Sequence, residues 1–455
     1  MSTNKKQLHL NAFVGGKGHH IAAWRYPDPR NTGGPDLNHI RHIAKTAERG
    51  KFDSLFFADI VGLLRQEKEA VRRSAVESHF EPLTLIGNLA AVTEKIGLIA
   101  TASTTYNQPY TIARQFASLD HLSGGRVGWN VVSSISDSEA RNFGYDTHPE
   151  HAIRYERASE FVDVVTGLWD SWEDDTFLRD KESGIYADPE KLHVLNHKGK
   201  YFQVRGPLNI ARSPQGWPVV VQAGSSEAGM DLAARTAELV FTAQHDLQAA
   251  QEFYRDLKRR TAEYGRSPED IKILPGLLVI VGQTEQEAQQ KFDTLQSLVD
   301  PAAGLQLLST MLGGFDLTGY PVDGPLPELP ETNGTKSRRK LITDLAHDQN
   351  LSIRQLYLAI AGARGHGTII GSPEQIADRL QQWLEEGAAD GFNIMPPYLP
   401  GALDDFVDLV IPELQRRGIF RTDYQGTTLR DHFGLSRPRN QFGAPLKSQL
   451  EPALA

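Results

Sequence analysis

Short, wholly apolar runs alternate along this chain with longer stretches whose apolar residues fall three or four apart. Leu8–Val14 (LHLNAFV) reads as a strand, and LNHIRHIAKTAERG as the helix after it, closed by Gly50. SLFFAD is a second strand ending at Asp59, followed by the helix EPLTLIGNLAAVTEK with Pro82 in its first turn. IGLIATAST, RVGWNVVSS, PVVVQAG, LVFTAQ, ILPGLLVIVG and FNIMPPYLP supply six further strands. The helix between the fourth and fifth carries Phe161, Val164, Val165, Leu168, Trp169 and Trp172 at helical spacing. The strands are continuously apolar rather than alternating, as strands covered on both faces are. Eight strand–helix alternations predict a (β/α)8 barrel, an α/β TIM barrel, rather than an open sheet.

Such a barrel uses roughly 250 residues, which leaves about 200 of the 455 over. Two insertions, about 173–217 and 300–372, and a C-terminal tail, 417–455, take up the excess within one domain spanning 1–455. HKGKYFQVRGPLNI in the first insertion resembles a hairpin. The tail is expected to wrap a neighbouring subunit.

Composition narrows the chemistry. There is no cysteine, which removes disulfides, thiolate metal sites and thiol catalysis. A net charge of −9 argues against nucleic-acid binding. No run of about 18 apolar residues or signal peptide is seen, so a cytoplasmic protein without membrane contact is expected. No metal-ligand spacing, Walker loop or nucleophile elbow is present, and the glycine-rich GARGHGTIIG lacks the dinucleotide-binding context.

Active sites of this barrel lie at the C-terminal ends of the strands. Those ends carry Asp59, Thr101 to Thr105, Asn130 to Ser134, Gly224-Ser225-Ser226 and Gln244. Each alone has a plain reading as a cap or turn residue, but together they predict a ring of hydrogen-bonding groups around a polar ligand. Ser225 or Ser226 caps the next helix, whose free N–H groups favour a phosphate. A simple N-cap is the alternative there. His151 and Tyr155, at i and i+4, share a helix face, and the alternative for them is a surface pair beside Arg154 and Arg157.

Several long stretches carry a resemblance: AAWRYPD, ERGKFDSLFFAD, LDHLSGGRVGWNVVSS, HAIRYERASEFVDVV and GAADGFNIMPPYLPGALDDF. The chain resembles flavin-dependent monooxygenases of the bacterial luciferase-like superfamily. The resemblance is strongest to the group of nitrilotriacetate monooxygenase component A, dibenzothiophene sulfone monooxygenase and long-chain alkane monooxygenase. It implies reduced FMN as cosubstrate, O2 as oxidant, a separate NAD(P)H:FMN reductase and a small organic substrate of xenobiotic, organosulfur or aminopolycarboxylate type. It also implies a homodimer or homotetramer. Carried over residue by residue, flavin contacts fall on Asp59, Thr101, His151, Tyr155 and Ser226, with Asn130 beneath the ring and the phosphate at Ser225/Ser226. His19 and His20, after the first strand, are candidates to face the substrate, against a reading as surface-loop histidines. The 300–372 insertion is expected to act as a lid. The alternative function is a deazaflavin-dependent oxidoreductase or a non-catalytic flavin-binding protein on the same barrel.

Overall fold

The computed structural model describes residues 6–28, 30, 35–63, 68–73, 75, 78–330 and 336–443. Eleven strands occur among them. β1 (His9–Val14), β2 (Ser54–Phe57), β3 (Gly97–Ser103) and β4 (Val127–Val132) come first. β5 (His197–Lys198) and β6 (Gln203–Val204) follow, then β7 (Val219–Gln222), β8 (Leu239–Thr242), β9 (Lys272–Val281), β10 (Gly367–Gly371) and β11 (Gly391–Met395). Eight of these form a closed parallel ring, β1-β2-β3-β4-β7-β8-β9-β11 and back to β1. The ring is the expected barrel, strand for strand. β5 and β6 are the antiparallel hairpin of the first insertion. β10 has no counterpart in the sequence reading. It lies on the outer half of β9, Leu277–Val281, beyond the part of β9 that pairs with β8.

Alternation along each strand separates two cores. Outward residues such as Trp129 pack among Phe116, Phe161 and Trp169 of the surrounding helices. Inward residues fill the barrel axis. Phe13, Phe56 and Phe241 meet edge-on, with ring centroids 5.3, 5.1 and 5.5 Å apart, near the C-terminal end. At the opposite end Leu429, Phe433 and Leu435 join the same apolar cluster. The helix Leu429–Phe433 therefore plugs the bottom of its own barrel. A Cβ on Gly97 would fall 2.3 Å from Leu429, so the plug seats only against glycine. Through Gly443 the tail packs on its own chain, with Arg437 on Asp174 and Asn440 on the Asp170 carbonyl, and 444–455 lie outside the described residues.

The turn Ser123-Gly124-Gly125-Arg126 shows why β4 is so firmly placed. Gly124, at φ 69°, caps the helix Pro109–Ser123 in the left-handed conformation. Arg126 is buried and donates to the carbonyls of Ile96 (2.7 Å), Ser123 (2.8 Å) and Thr93 (3.0 Å). These bonds tie the start of β4 to the segment entering β3. In the second insertion, helices Pro301–Met311, Lys336–Asp348 and Ile353–Ile360 share an apolar cluster. Ile21, from the loop after β1, packs against it, which sets the insertion over that side of the barrel mouth.

Candidate active site

Three neighbouring strands bring polar side chains into the mouth. Thr101 on β3 and Asn130 on β4 are register partners, both inward and 3% exposed. Asn130 Nδ2 donates to Thr101 Oγ1 (2.8 Å), whose hydroxyl donates to the Phe57 carbonyl (2.8 Å). Asn130 Oδ1 is buried with no partner. A buried amide oxygen left unpaired costs free energy unless something supplies a donor, so it marks a ligand position.

Beyond β4 the chain turns through Ser134, held at φ 58°. Ser103 and Ser134 hydroxyls lie 2.8 Å apart, and Thr105 Oγ1 donates to the Ser133 carbonyl (2.8 Å). Arg154 is buried and donates to the Ser134 carbonyl (2.8 Å) and to that of Pro149 (2.9 Å). Arg154, beside which the alternative reading set a surface pair, is thus a brace that fixes the loop leaving β4.

At the end of β7, Ser226 caps the helix Glu227–Thr236, its hydroxyl accepting from Gly229 N–H (3.2 Å). His151 Nε2 lies 3.4 Å from Ser226 Oγ, and its ring stands 4.7 Å from that of Tyr155. A Cβ on Gly224 would sit 3.2 Å from the Tyr155 hydroxyl and 3.0 Å from Gly229 Cα. The loop thus passes between helix and tyrosine only because both positions are glycine. Ser225 is exposed beside Ser226. The first-turn carboxylate of Glu227 is turned aside to Arg260 (2.7 Å), which leaves the helix terminus electropositive.

Asp59, just after β2, pairs with His79 Nε2 at 3.0 Å. Gly18, at φ 129°, lets the loop after β1 cross the loop after β11, where a Cβ would fall 2.4 Å from the Pro397 carbonyl. That crossing buries both candidate histidines, contrary to the surface reading. His19 donates from Nε2 to the Phe13 carbonyl (2.9 Å) and packs on the Phe13 ring (4.5 Å). Burial, with Arg364 nearby, pushes its pKa down to about 3. His20 accepts the Ala22 N–H on Nδ1 (3.2 Å) and has Gly362 against its ring. Burial pushes it down to about 4. His19 therefore faces the mouth, and His20 lies behind it against the insertion.

The chain from residue 17 to 391 matches the family described as Luciferase-like monooxygenase. It belongs to that family. It is 54% identical to N-acetyl-S-(2-succino)cysteine monooxygenase of Bacillus subtilis (strain 168), covering 97% of this chain and 100% of the relative. It is 53% identical to nitrilotriacetate monooxygenase component A of Aminobacter aminovorans, covering 97% and 99%. Its structure is similar to that of DmoA from Hyphomicrobium sulfonivorans, with a TM-score of 0.85, 36% identity and coverage of 94% and 92%.

On this luciferase-like barrel, the sequence reading passed over a group on the side opposite β3 and β4. His366 stacks on Phe241 (5.0 Å, 9° between planes). Arg338 Nη2 donates to His366 Nε2 (3.3 Å), and Nη1 donates to the Arg364 carbonyl. His366 falls within GARGHG, a segment set aside for lacking dinucleotide-binding context. A histidine flanked by glycines was the available signal. Among the described residues no cluster of histidines and carboxylates suits a metal ion, and no helix is long and apolar enough to cross a membrane.

Proposed function

We propose that the protein is the oxygenase of a two-component monooxygenase. In this reading it receives reduced FMN from a separate reductase and uses it with O2 to oxidise a small organic molecule. The observation that carries the reading is Asn130 Oδ1, a buried acceptor without a partner, inward on the barrel at the strand end where this family's chemistry is sited. A reduced flavin ring carries N–H donors of the kind this oxygen lacks. Ser226, His151 and the N-terminus of Glu227–Thr236 form a fitting cradle for the flavin phosphate, and Tyr155 packs against that cradle through Gly224. The assignments of Thr101, Ser225 and Asp59 to the flavin rest on the family resemblance alone.

Bound reduced flavin supplies the electrons that activate O2. The protein's task is to orient the ring and to keep water away. Phe13, Phe56 and Phe241 seal the axis beneath the mouth, and the helices of 300–372 cover one side from above. Burial keeps His19 neutral across physiological pH, so it serves as a hydrogen-bonding wall rather than as an acid. The names of the two relatives above point to molecules bearing carboxylates, which supports a substrate of xenobiotic, organosulfur or aminopolycarboxylate type.

The test is an anaerobic titration with reduced and oxidised FMN, followed by turnover with a reductase and O2. Tighter binding of the reduced form and coupled product release are expected. Failure to bind reduced FMN, or turnover only with a deazaflavin and without O2, would overturn the proposal.

A further inference from the structure

The side of the mouth formed by β9, β1 and the second insertion is built differently from the flavin-facing side. Arg338 is partly buried, and both guanidinium contacts that hold it are uncharged: the Arg364 carbonyl and a neutral imidazole. Burial pulls its pKa down, to about 10, and no carboxylate among the described residues acts on it. Arg364, held at φ 51°, sends its charge into the same region, where it depresses His19, His20 and His366. His19 and His20 are buried, His366 is half-buried, and all three are held neutral.

The arrangement is costly for stability alone. Desolvating a guanidinium without an anion is unfavourable, and an arginine that served only to staple helix Lys336–Asp348 to the 364–366 turn would be better replaced by an uncharged donor. Buried arginines elsewhere are satisfied in one of two ways: Arg126 and Arg154 spread their donors over three or more carbonyl and hydroxyl oxygens, where Arg338 has one carbonyl and one imidazole, and three others meet carboxylates. Arg430 meets Glu238 at 2.9 Å, Arg212 meets Asp170 at 3.0 Å and Arg421 meets Asp53 at 2.5 Å. Arg338 therefore has a positive charge to share with something that the described residues do not supply. Its Nη2 rests on His366, whose ring lies flat on the Phe241 floor, so the charge stands beside the barrel axis.

We propose that Arg338, oriented by His366 and reinforced by Arg364, is an anion subsite that binds a carboxylate of the substrate. This rests on the reading of the mouth as a flavin-dependent oxygenase site. The subsite lies across the barrel from Asn130 and away from the helix terminus at Ser226, so the carboxylate it takes is not the flavin phosphate. A guanidinium meets a carboxylate through two parallel N–H donors, which fixes orientation as well as charge. His366 positions Arg338. The substrate class that follows is a small polycarboxylate whose oxidisable bond lies within a few bonds of a carboxylate.

The test is anaerobic calorimetry on the protein carrying reduced FMN, with tricarballylate as probe and its trimethyl ester as neutral control. Saturable binding of the acid and not of the ester is expected. Arg338→Gln should weaken the acid at least about tenfold and Arg338→Lys less, because charge returns without the fork. Affinity for reduced FMN should be unchanged in both variants. No saturable binding of the acid to the wild type, equal binding of acid and ester, or unaltered acid binding by Arg338→Gln would each overturn the subsite. So would a loss of reduced FMN affinity not shared by reduced riboflavin, since Arg338 would then hold the flavin phosphate. Failure of the oxygenase reading shows separately, as absence of any reduced FMN binding by the wild type.

Discussion

The two ends of this barrel handle buried polarity in opposite ways. At the bottom, Ser54 donates to Asn11 (2.7 Å), Asn11 to Asn393 (3.1 Å) and Asn393 to the Leu274 carbonyl (2.9 Å). Asp53 meets both Arg421 (2.5 Å) and His9 (3.0 Å), and Arg430 meets Glu238. Each of these charges has an opposite charge, and the plug of Leu429, Phe433 and Leu435 seals them in. At the mouth, an amide oxygen and a guanidinium are withdrawn from water without the partners their chemistry asks for. The same fold gives the buried charges named at one end an opposite charge, and leaves an amide oxygen and a guanidinium at the other without such partners.

The sharpest way to break the comparison is at the bottom. Arg430→Ala strands Glu238, which is largely buried, and removes the contacts that seat the plug. A loss of about 3–5 kcal/mol is expected, read as a lower urea midpoint. Reduced FMN affinity of the molecules that remain folded should not change, because the mouth is untouched.

Acid should weaken the mouth in turn. The folded pKa values of His19 (about 3), His20 (about 4) and His366 (well below 6.5) lie under the ordinary value of 6.5. The unfolded chain therefore takes up protons that the folded chain refuses as pH falls below 6.5, and stability drops. Asp120 opposes this, since burial raises it to about 6 and its protonation relieves a penalty. The histidines held neutral by burial outweigh this carboxyl, so the urea midpoint should be lower at pH 5 than at pH 7. Equal urea midpoints at the two pH values would mean that the histidines are not held neutral.

A smaller effect sharpens the mouth itself. Ser226→Asp puts a carboxylate at the helix terminus proposed for the phosphate. Reduced FMN should bind about tenfold more weakly, while reduced riboflavin, which lacks the phosphate, should be nearly indifferent. Equal loss for both ligands would place the phosphate elsewhere.

How much of this was legible in the chain follows from the physics of each element. The eight barrel strands were visible because burial on both faces demands uninterrupted apolar runs such as LLVIV. The polar strand ends at Thr101 and Asn130 were visible for the complementary reason. β10 was not, because GTIIG is five residues bounded by glycine, and it exists only as an addition to the outer half of β9. The plug was hidden because Leu429, Phe433 and Leu435 are sparse apolar positions in a polar tail, and only the barrel's interior gives them a common face. Arg154 reads as a surface residue on its helix until the Ser134 carbonyl is seen to lie against it. Arg338 and His366 are far apart in sequence. Positive φ at Arg364 and Gly365 turns the chain so that they meet, which no periodicity encodes.

The central claim is that Asn130 Oδ1 waits for reduced flavin, and Asn130→Leu tests it most directly. The swap removes the unpaired oxygen at similar volume. It orphans no buried donor, because the Thr101 hydroxyl still donates to the Phe57 carbonyl. Stability and reduced FMN affinity should be measured side by side, by urea midpoint and by anaerobic titration. The account predicts stability within about 1 kcal/mol of wild type and reduced FMN affinity about three- to tenfold weaker. Unchanged reduced FMN affinity with a large loss of stability would contradict it, since Asn130 would then be part of the scaffold and not of the site.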